Sequence, residues 1–451
     1  MVPGTAGRLS VPRGTVPGMR RTTTDPLSGL DAIDWAELEH AYGPASDVPE
    51  QLRALCGPDE GGRKQALHSF NGNIFHQGSR YPASAVAVPF LARMAADTTL
   101  PERAEVLRLL ASLAIGYDNA HLPCGVAIAP WRRSHAEFTA KDEATILAEF
   151  DAWVAEAADE NERQSREFRR TCFEYDEHLE AMNSELGAYD AVRGEVPRLV
   201  ALLADPDPGV RAATAYLLAW FPEEAPHTLP HLLALLDNAP DGEEAQAAVT
   251  ATALVTVGLL GDRSLVPRLR PFLTAEDRLP RWAAAVALAR LATDDAPAAD
   301  DAADDPANDP DLTAAVLAEL AAAEATPPEP GPPGIAFHDG DLRGYAAVSL
   351  TLLADTHPDE ALDAVTDGLA RTSGVPAFAV TAAALRLAFG TQHGPLPSFP
   401  DLDERRQRLI RVLAERDEAT WRWMNFVDIL RAWGLPQDRP AMRSYAQLSD
   451  A

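Results

Sequence analysis

The stretch that decides the fold is Val196-Pro197-Arg198-Leu199-Val200-Ala201-Leu202-Leu203-Ala204-Asp205-Pro206-Asp207-Pro208-Gly209-Val210-Arg211-Ala212-Ala213-Thr214-Ala215-Tyr216-Leu217-Leu218-Ala219-Trp220-Phe221. Its first part predicts an amphipathic helix opened by Pro197, where the missing N–H costs nothing. Asp205 to Gly209 is a run of turn formers that ends it. From Val210 the apolar positions 210, 213, 214, 217, 218 and 221 fall on one face at helical spacing, which predicts a second helix.

The unit recurs. A proline is followed fourteen residues later by an arginine at Pro89 and Arg103, Pro197 and Arg211, and Pro267 and Arg281. Leu218 corresponds to Leu254, Leu288, Leu350 and Leu385, and the arginine position is held by Arg211, Arg281 and Arg343 but by Ala247 and Phe378 in the other two. A helix pair repeating at this period cannot bury its apolar face alone and must stack on its neighbours. The expected fold is an all-α superhelix, a solenoid of roughly five or six helix pairs with a helical insertion after the first.

The expected organisation is a basic disordered tail over 1–24, a helical region with the first pair over 25–116, and a charged helical insertion over 117–195. The core repeats follow over 196–293. Next come a part with acidic and proline-rich loops over 294–336 and terminal repeats with a Trp-rich cap over 337–451. Within the insertion, Leu122 to Trp131 reads as a loop with Ser134 as a helix cap. Met19 is an alternative start to Met1.

The segment from Asp205 to Ala213, followed by Leu217-Leu218, resembles a HEAT repeat. The resemblance is specific over 196–293, visible at 85–116 and 342–354, and extends to bacterial HEAT-repeat proteins as a class. It implies a ladder in which the turn aspartate (Asp205 or Asp207) and the helix arginine pair between repeats, with Arg103, Arg211, Arg281 and Arg343 as its rungs. Ala247 and Phe378 interrupt that ladder. Stacked repeats leave carbonyls and carboxylates at their seam, and one guanidinium satisfies several of them.

The formal net charge is −29, and residues 1–24 hold four arginines and no acid. An acidic surface repels phosphate backbones and anionic headgroups and favours basic protein partners. No run of apolar residues is long enough for a membrane span. Cys56, Cys124 and Cys172 are too few and too far apart for a zinc site or a disulfide framework, which suits a reducing cytoplasm. HExxH, Gly-x-Ser-x-Gly and Walker-type Gly-Lys-Ser/Thr motifs are absent, so no catalytic residue, metal or cofactor is assigned. His227 and His231 are separated by Pro230 and lack further ligands at metal spacing. The acidic loop 294–311 lacks the regular spacing of a calcium loop and reads as a solvated spacer. Arg163, Arg166, Arg169 and Arg170 form a basic stripe, but the acids around it favour internal ion pairs over nucleic acid.

The function expected is therefore non-catalytic: a monomeric cytoplasmic scaffold or adaptor engaging a basic protein partner on the concave face, with Tyr216 and Trp220 as exposed anchors. Packing of these two under a neighbouring repeat is the alternative. A sharper variant is an immunity-type protein that neutralises a basic toxin. Enzymes with HEAT-like folds, DNA glycosylases and bilin lyases, are disfavoured, the first by charge.

Overall fold

A computed structural model describes residues 25–237, 244–293, 308–391 and 397–448. The basic tail with Met19, most of the acidic loop and residues 238–243 lie outside the described residues. Among them run twenty-one α-helices, and the strands are two short hairpins, Glu39–His40 with Gly43–Pro44 and Phe75–His76 with Ser79–Arg80. The fold is an all-α solenoid.

Helix pairs stack in two layers. The first helices are α3 (Pro82–Ala96), the end of α8 (Tyr175–Leu199), α10 (Ala225–Asp237), α12 (Val266–Leu269), α14 (Pro310–Ala325), α16 (Pro358–Leu369) and α18 (Glu404–Ala414). The second helices are α4 (Arg103–Ile115), α9 (Pro208–Leu218), α11 (Glu244–Leu260), α13 (Arg278–Ala292), α15 (Leu342–Leu350), α17 (Ala377–Phe389) and α20 (Met424–Ala432). Helices α1 (Val48–Leu55) and α2 (Glu60–Ile74) add a pair before them, and α19 (Glu418–Trp421) and α21 (Arg439–Tyr445) complete the far end.

The second-helix layer is built from small residues, so its backbones approach closely. A Cβ added at Gly258 of α11 would lie 2.5 Å from the Cα of Ala287 in α13. Buried threonines return their hydroxyls to carbonyls, as Thr256 does 2.9 Å from the Ala215 carbonyl of α9. Aspartates start the second helices: Asp59, Asp207, Asp277 and Asp341 each accept a backbone N–H of the first turn.

Sequence and structure part company at the helix starts. Pro89 and Pro197 lie inside α3 and α8, and only Pro267 stands at a helix opening. Residues 175–196 contain no proline, and α8 runs on through Gly187 and Gly194, so the chain is already helical when Pro197 arrives. Its missing N–H leaves the Arg193 carbonyl without that intrahelical bond, and beyond Leu199 the helix tightens to 3-10 geometry at Val200–Ala204. The boundary placed between 195 and 196 thus falls within one helix. The charged insertion comprises α5 (Ile128–Thr139), α6 (Glu143–Ala155), α7 (Glu160–Thr171) and most of α8. Ser134 sits within α5 and caps nothing, because Pro130 and the residues after it already fit a helical first turn.

The arginine ladder exists, with different partners from those expected. Arg103 donates to both oxygens of Asp205 at 3.2 and 2.6 Å, with the two side chains 7% and 5% exposed. Arg211 binds the Asp205 and Pro206 carbonyls of its own turn and reaches Gln246 Oε1 at 3.2 Å in the next repeat. Arg281 repeats this with the Ala275 and Glu276 carbonyls and Glu319. Arg343 holds the Glu324 carbonyl and Thr372. Asp207 is not a rung; its carboxylate is used up as the cap of α9. At the expected gaps, Gln246 stands in beside Ala247, and Arg416 satisfies the Leu369 and Thr372 carbonyls near the repeat of Phe378.

An additional rung lies upstream: Arg63 binds the Gly57 and Pro58 carbonyls and both oxygens of Glu102. Its signal was present, since Pro49 precedes Arg63 by the same fourteen residues.

Glu324, at the end of α14, is fully buried, and neither carboxylate oxygen is hydrogen-bonded among the described residues. Burial raises its pKa well above 4.5, only partly opposed by the Arg343 charge. The unfolded chain then releases this proton at a lower pH than the folded one, so stability falls as pH rises above the ordinary glutamate range. Glu324→Gln is expected to raise the melting temperature at pH 8, with the gain shrinking toward pH 4.5; thermal melts at both values check it. Arg103→Ala strands Asp205 in the interior and is expected to cost about 3–5 kcal/mol. Arg211→Ala, which leaves carbonyls unmet, is expected to cost about 1–3 kcal/mol. Denaturant unfolding of the two variants measures the difference.

Candidate functional site

The inner face of the array carries the residues expected to meet a partner, and a segment of the chain itself covers them. Residues 326–341, between α14 and α15, form a strap. It crosses from α14 to the N-terminal ends of α4 and α9, where Pro333 stands within van der Waals reach of the space above Gly209 and Ala104. It then returns to α15 through Phe337, which is fully buried.

Phe337 packs edge-on at 4.9 Å from Tyr216 and 5.6 Å from Trp220, both on the α9 side, and lies 6.0 Å from Tyr345 of α15. Two further second helices, α11 and α13, separate α9 from α15 in the row. One ring nonetheless reaches both, so the strap bridges second helices that are not neighbours in the row.

Tyr216 and Trp220 are therefore not exposed anchors. Trp220 is 0% exposed, and Tyr216 is half-buried with its hydroxyl tied down. Their cover is not a neighbouring repeat, as the alternative had it, but the strap. Helical periodicity placed both residues off the apolar stripe, but it carries no information about a segment more than a hundred positions away.

The polar centre of this face is Asp118, in the loop after α4. It is 6% exposed, and its Oδ2 accepts the His338 backbone N–H at 2.8 Å and the Tyr216 hydroxyl at 3.2 Å. Burial pushes its carboxyl up from 3.8, and the two hydrogen bonds and the neighbouring His338 pull against that. The Tyr216 phenol is raised in turn by burial and by the Asp118 charge. The loop is pinned by Arg290, whose Nε donates to the Cys124 carbonyl at 3.1 Å, and by His121, whose Nε2 lies 3.0 Å from the Ile115 carbonyl. Burial lowers the His121 pKa. Sequence reasoning passed over Asp118, an isolated acid in a loop with no motif around it.

Among the described residues, two donors on this face have no hydrogen-bond partner, the Trp220 indole N–H and the Tyr345 hydroxyl, and both side chains are fully buried. A cavity of about 350 Å³ remains between the strap and α4, lined by Arg108, Ser112, Tyr216, Pro333, Ile335 and Asp339.

The other candidates fall outside this face. On the insertion, Arg163 pairs with Glu160 and Glu167, Arg166 with Glu162 and the Trp153 carbonyl, and Arg170 with Asp151. Three of the four arginines of the basic stripe are thus engaged by internal pairs. His227 and His231 face each other at 5.7 Å on α10. Among the described residues, no group of three or more His, Cys, Asp or Glu is placed to hold a metal, and no helix is long and apolar enough to cross a membrane.

Residues 179–252, from α8 into α11, match the family model for HEAT repeats. The chain carries HEAT repeats. No curated protein matches it. Among solved structures, the crystal structure of an engineered protein aligns over 89% of this chain and 97% of its own, at 18% identity and a TM-score of 0.27. That overlap is too loose to assign anything, and the HEAT architecture rests on the family match and on the stacked helix pairs themselves.

If Trp220 is a packing residue of the HEAT array, Trp220→Ala is expected to cost about 3–5 kcal/mol of stability through the cavity it leaves. A surface anchor would leave the unfolding midpoint unchanged; urea denaturation separates the two.

Proposed function

We propose that this protein is a non-catalytic scaffold that binds a basic protein partner, working as a monomer in a reducing compartment. HEAT arrays present long surfaces and no built-in chemistry, which supports binding as the activity. The observation that carries the reading is the charge and its disposition. The net charge is −29, and many arginines are already spent inside the molecule. Arg63, Arg103, Arg211, Arg281 and Arg343 serve the seam, while Arg132, Arg163, Arg166, Arg170 and Arg193 sit in ion pairs with neighbouring acids. The field that reaches solvent is accordingly acidic and steers cationic surfaces toward the array.

The same chemistry suits an immunity-type protein that masks a basic enzyme. A groove for DNA would need the opposite sign. With Tyr216 and Trp220 covered, a partner meets either the outer acidic surface or the inner face after the strap has moved.

Affinity capture on the purified chain tests the reading. A discrete set of basic proteins is expected at about 0.1 M salt and is released at about 0.5 M, where screening shortens the reach of the field. Capture of acidic proteins only, or a mobility shift of duplex DNA at low salt, overturns it.

A further inference from the structure

We propose that the joint between α14 and α16 is a proton-operated hinge, closed while Glu324 carries a proton and opened when its carboxylate leaves the interface for water. The hinge goes beyond the scaffold reading and needs no partner.

The slot that holds Glu324 is shaped around its side chain. Glu324 lies in the last turn of α14 and Gly368 in the last turn of α16, and the two turns pack directly on each other. A Cβ placed on Gly368 would fall on Glu324 Oε2 and stand 2.9 Å from its Cδ. Glycine weakens a helix, and here its bare Cα is what leaves room for the carboxyl. The group is thus wedged between two helices, closed off from solvent and, among the described residues, without a hydrogen bond to either oxygen. A neutral acid forgoes a few hydrogen bonds in such a place, whereas an anion forgoes its whole hydration shell.

The charged groups around the slot are committed elsewhere. Arg343 of α15 is the cation that acts on the carboxyl, but its Nε donates to the Glu324 carbonyl at 3.0 Å and its Nη1 to Thr372 Oγ1 at 3.2 Å. Asp341, the cap of α15, adds negative charge that opposes ionisation. On α16, Asp367 is paired with Arg408 of α18. On α13, Arg281 is paired with Glu319, and Arg278 donates to the Thr326 carbonyl just beyond α14. Burial outweighs the Arg343 charge, with Asp341 adding to it, so the closed joint keeps the proton above the ordinary glutamate range.

In the open joint the carboxyl meets water and ionises as an ordinary glutamate does. A rise in pH through the closed-state value therefore favours opening. The departing carboxylate competes with Thr372 for Arg343, which loosens the rung between the end of α14 and the turn after α16. The repeats from α16 onward are then free to move against those before them.

Hydrogen exchange read by mass spectrometry on the full chain tests the hinge. Glu324→Gln, a permanently neutral side chain, is compared with the unaltered chain at each pH, so that the intrinsic exchange rate cancels. At about pH 5 the two are expected to exchange alike over residues 310–325 and 358–369. At about pH 8.5 these segments are expected to exchange about tenfold faster in the unaltered chain, a larger change than over α4 and α9. An infrared band from a protonated carboxyl, present in the unaltered chain at about pH 6 and missing from Glu324→Gln, is expected alongside. If the Gln variant does not fold, Glu324→Met serves the same comparison. Equal exchange at both pH values overturns the hinge, and so does the absence of the band. A difference spread evenly over α4 and α9 overturns it too, since that is a change of global stability alone. Capture of basic proteins is untouched by any of these outcomes, so the scaffold reading stands or falls separately.

Discussion

Arg103 and Asp205 meet across the seam between two repeats, nearly out of contact with water, with 102 positions of chain between them. Taking both charges out of solvent is expensive, and the bidentate geometry offsets that cost only when the two repeats sit in one register. The apolar spine alone would tolerate sliding, since alanine and leucine surfaces are forgiving of small displacements. Charged seam residues do not slide. Arg63 with Glu102, Arg211 with Gln246 and Arg281 with Glu319 impose the same demand at other joints. The long insertion can therefore sit between two repeats without breaking the array, because the seam closes behind it.

This seam explains why the architecture could be read from residues. The rungs share an arginine at the start of a second helix, and those of α2, α9, α13 and α15 follow an aspartate cap. A proline fourteen residues upstream marks four of them, Arg63, Arg103, Arg211 and Arg281. The exact partners were not legible. Whether Asp205 or Asp207 takes the arginine depends on which carboxylate the helix start consumes, and the cap of α9 consumes Asp207. The helix starts at Pro89 and Pro197 were misplaced because proline tolerates positions inside a helix when neighbouring turns hold the chain.

The candidate site was far less legible. Periodicity reads Tyr216 and Trp220 as lying off the apolar stripe, but their cover comes from Phe337, which local periodicity cannot connect to them. The proline-rich segment around it looked like a linker by composition, and composition does not say where an extended chain comes to rest. Asp118 gave no signal at all. What makes it matter is burial together with two donors arriving from distant segments.

The position of Phe337, against α9 on one side and α15 on the other, changes the mechanics of the whole molecule. An open stack of helix pairs behaves as a spring, stretching and twisting by small increments at each joint and fraying from its ends. A wedge that bridges nonadjacent turns removes that compliance over the span it crosses. The repeats from α9 to α15 then deform as one stiff block, and flexing is left to the joints on either side.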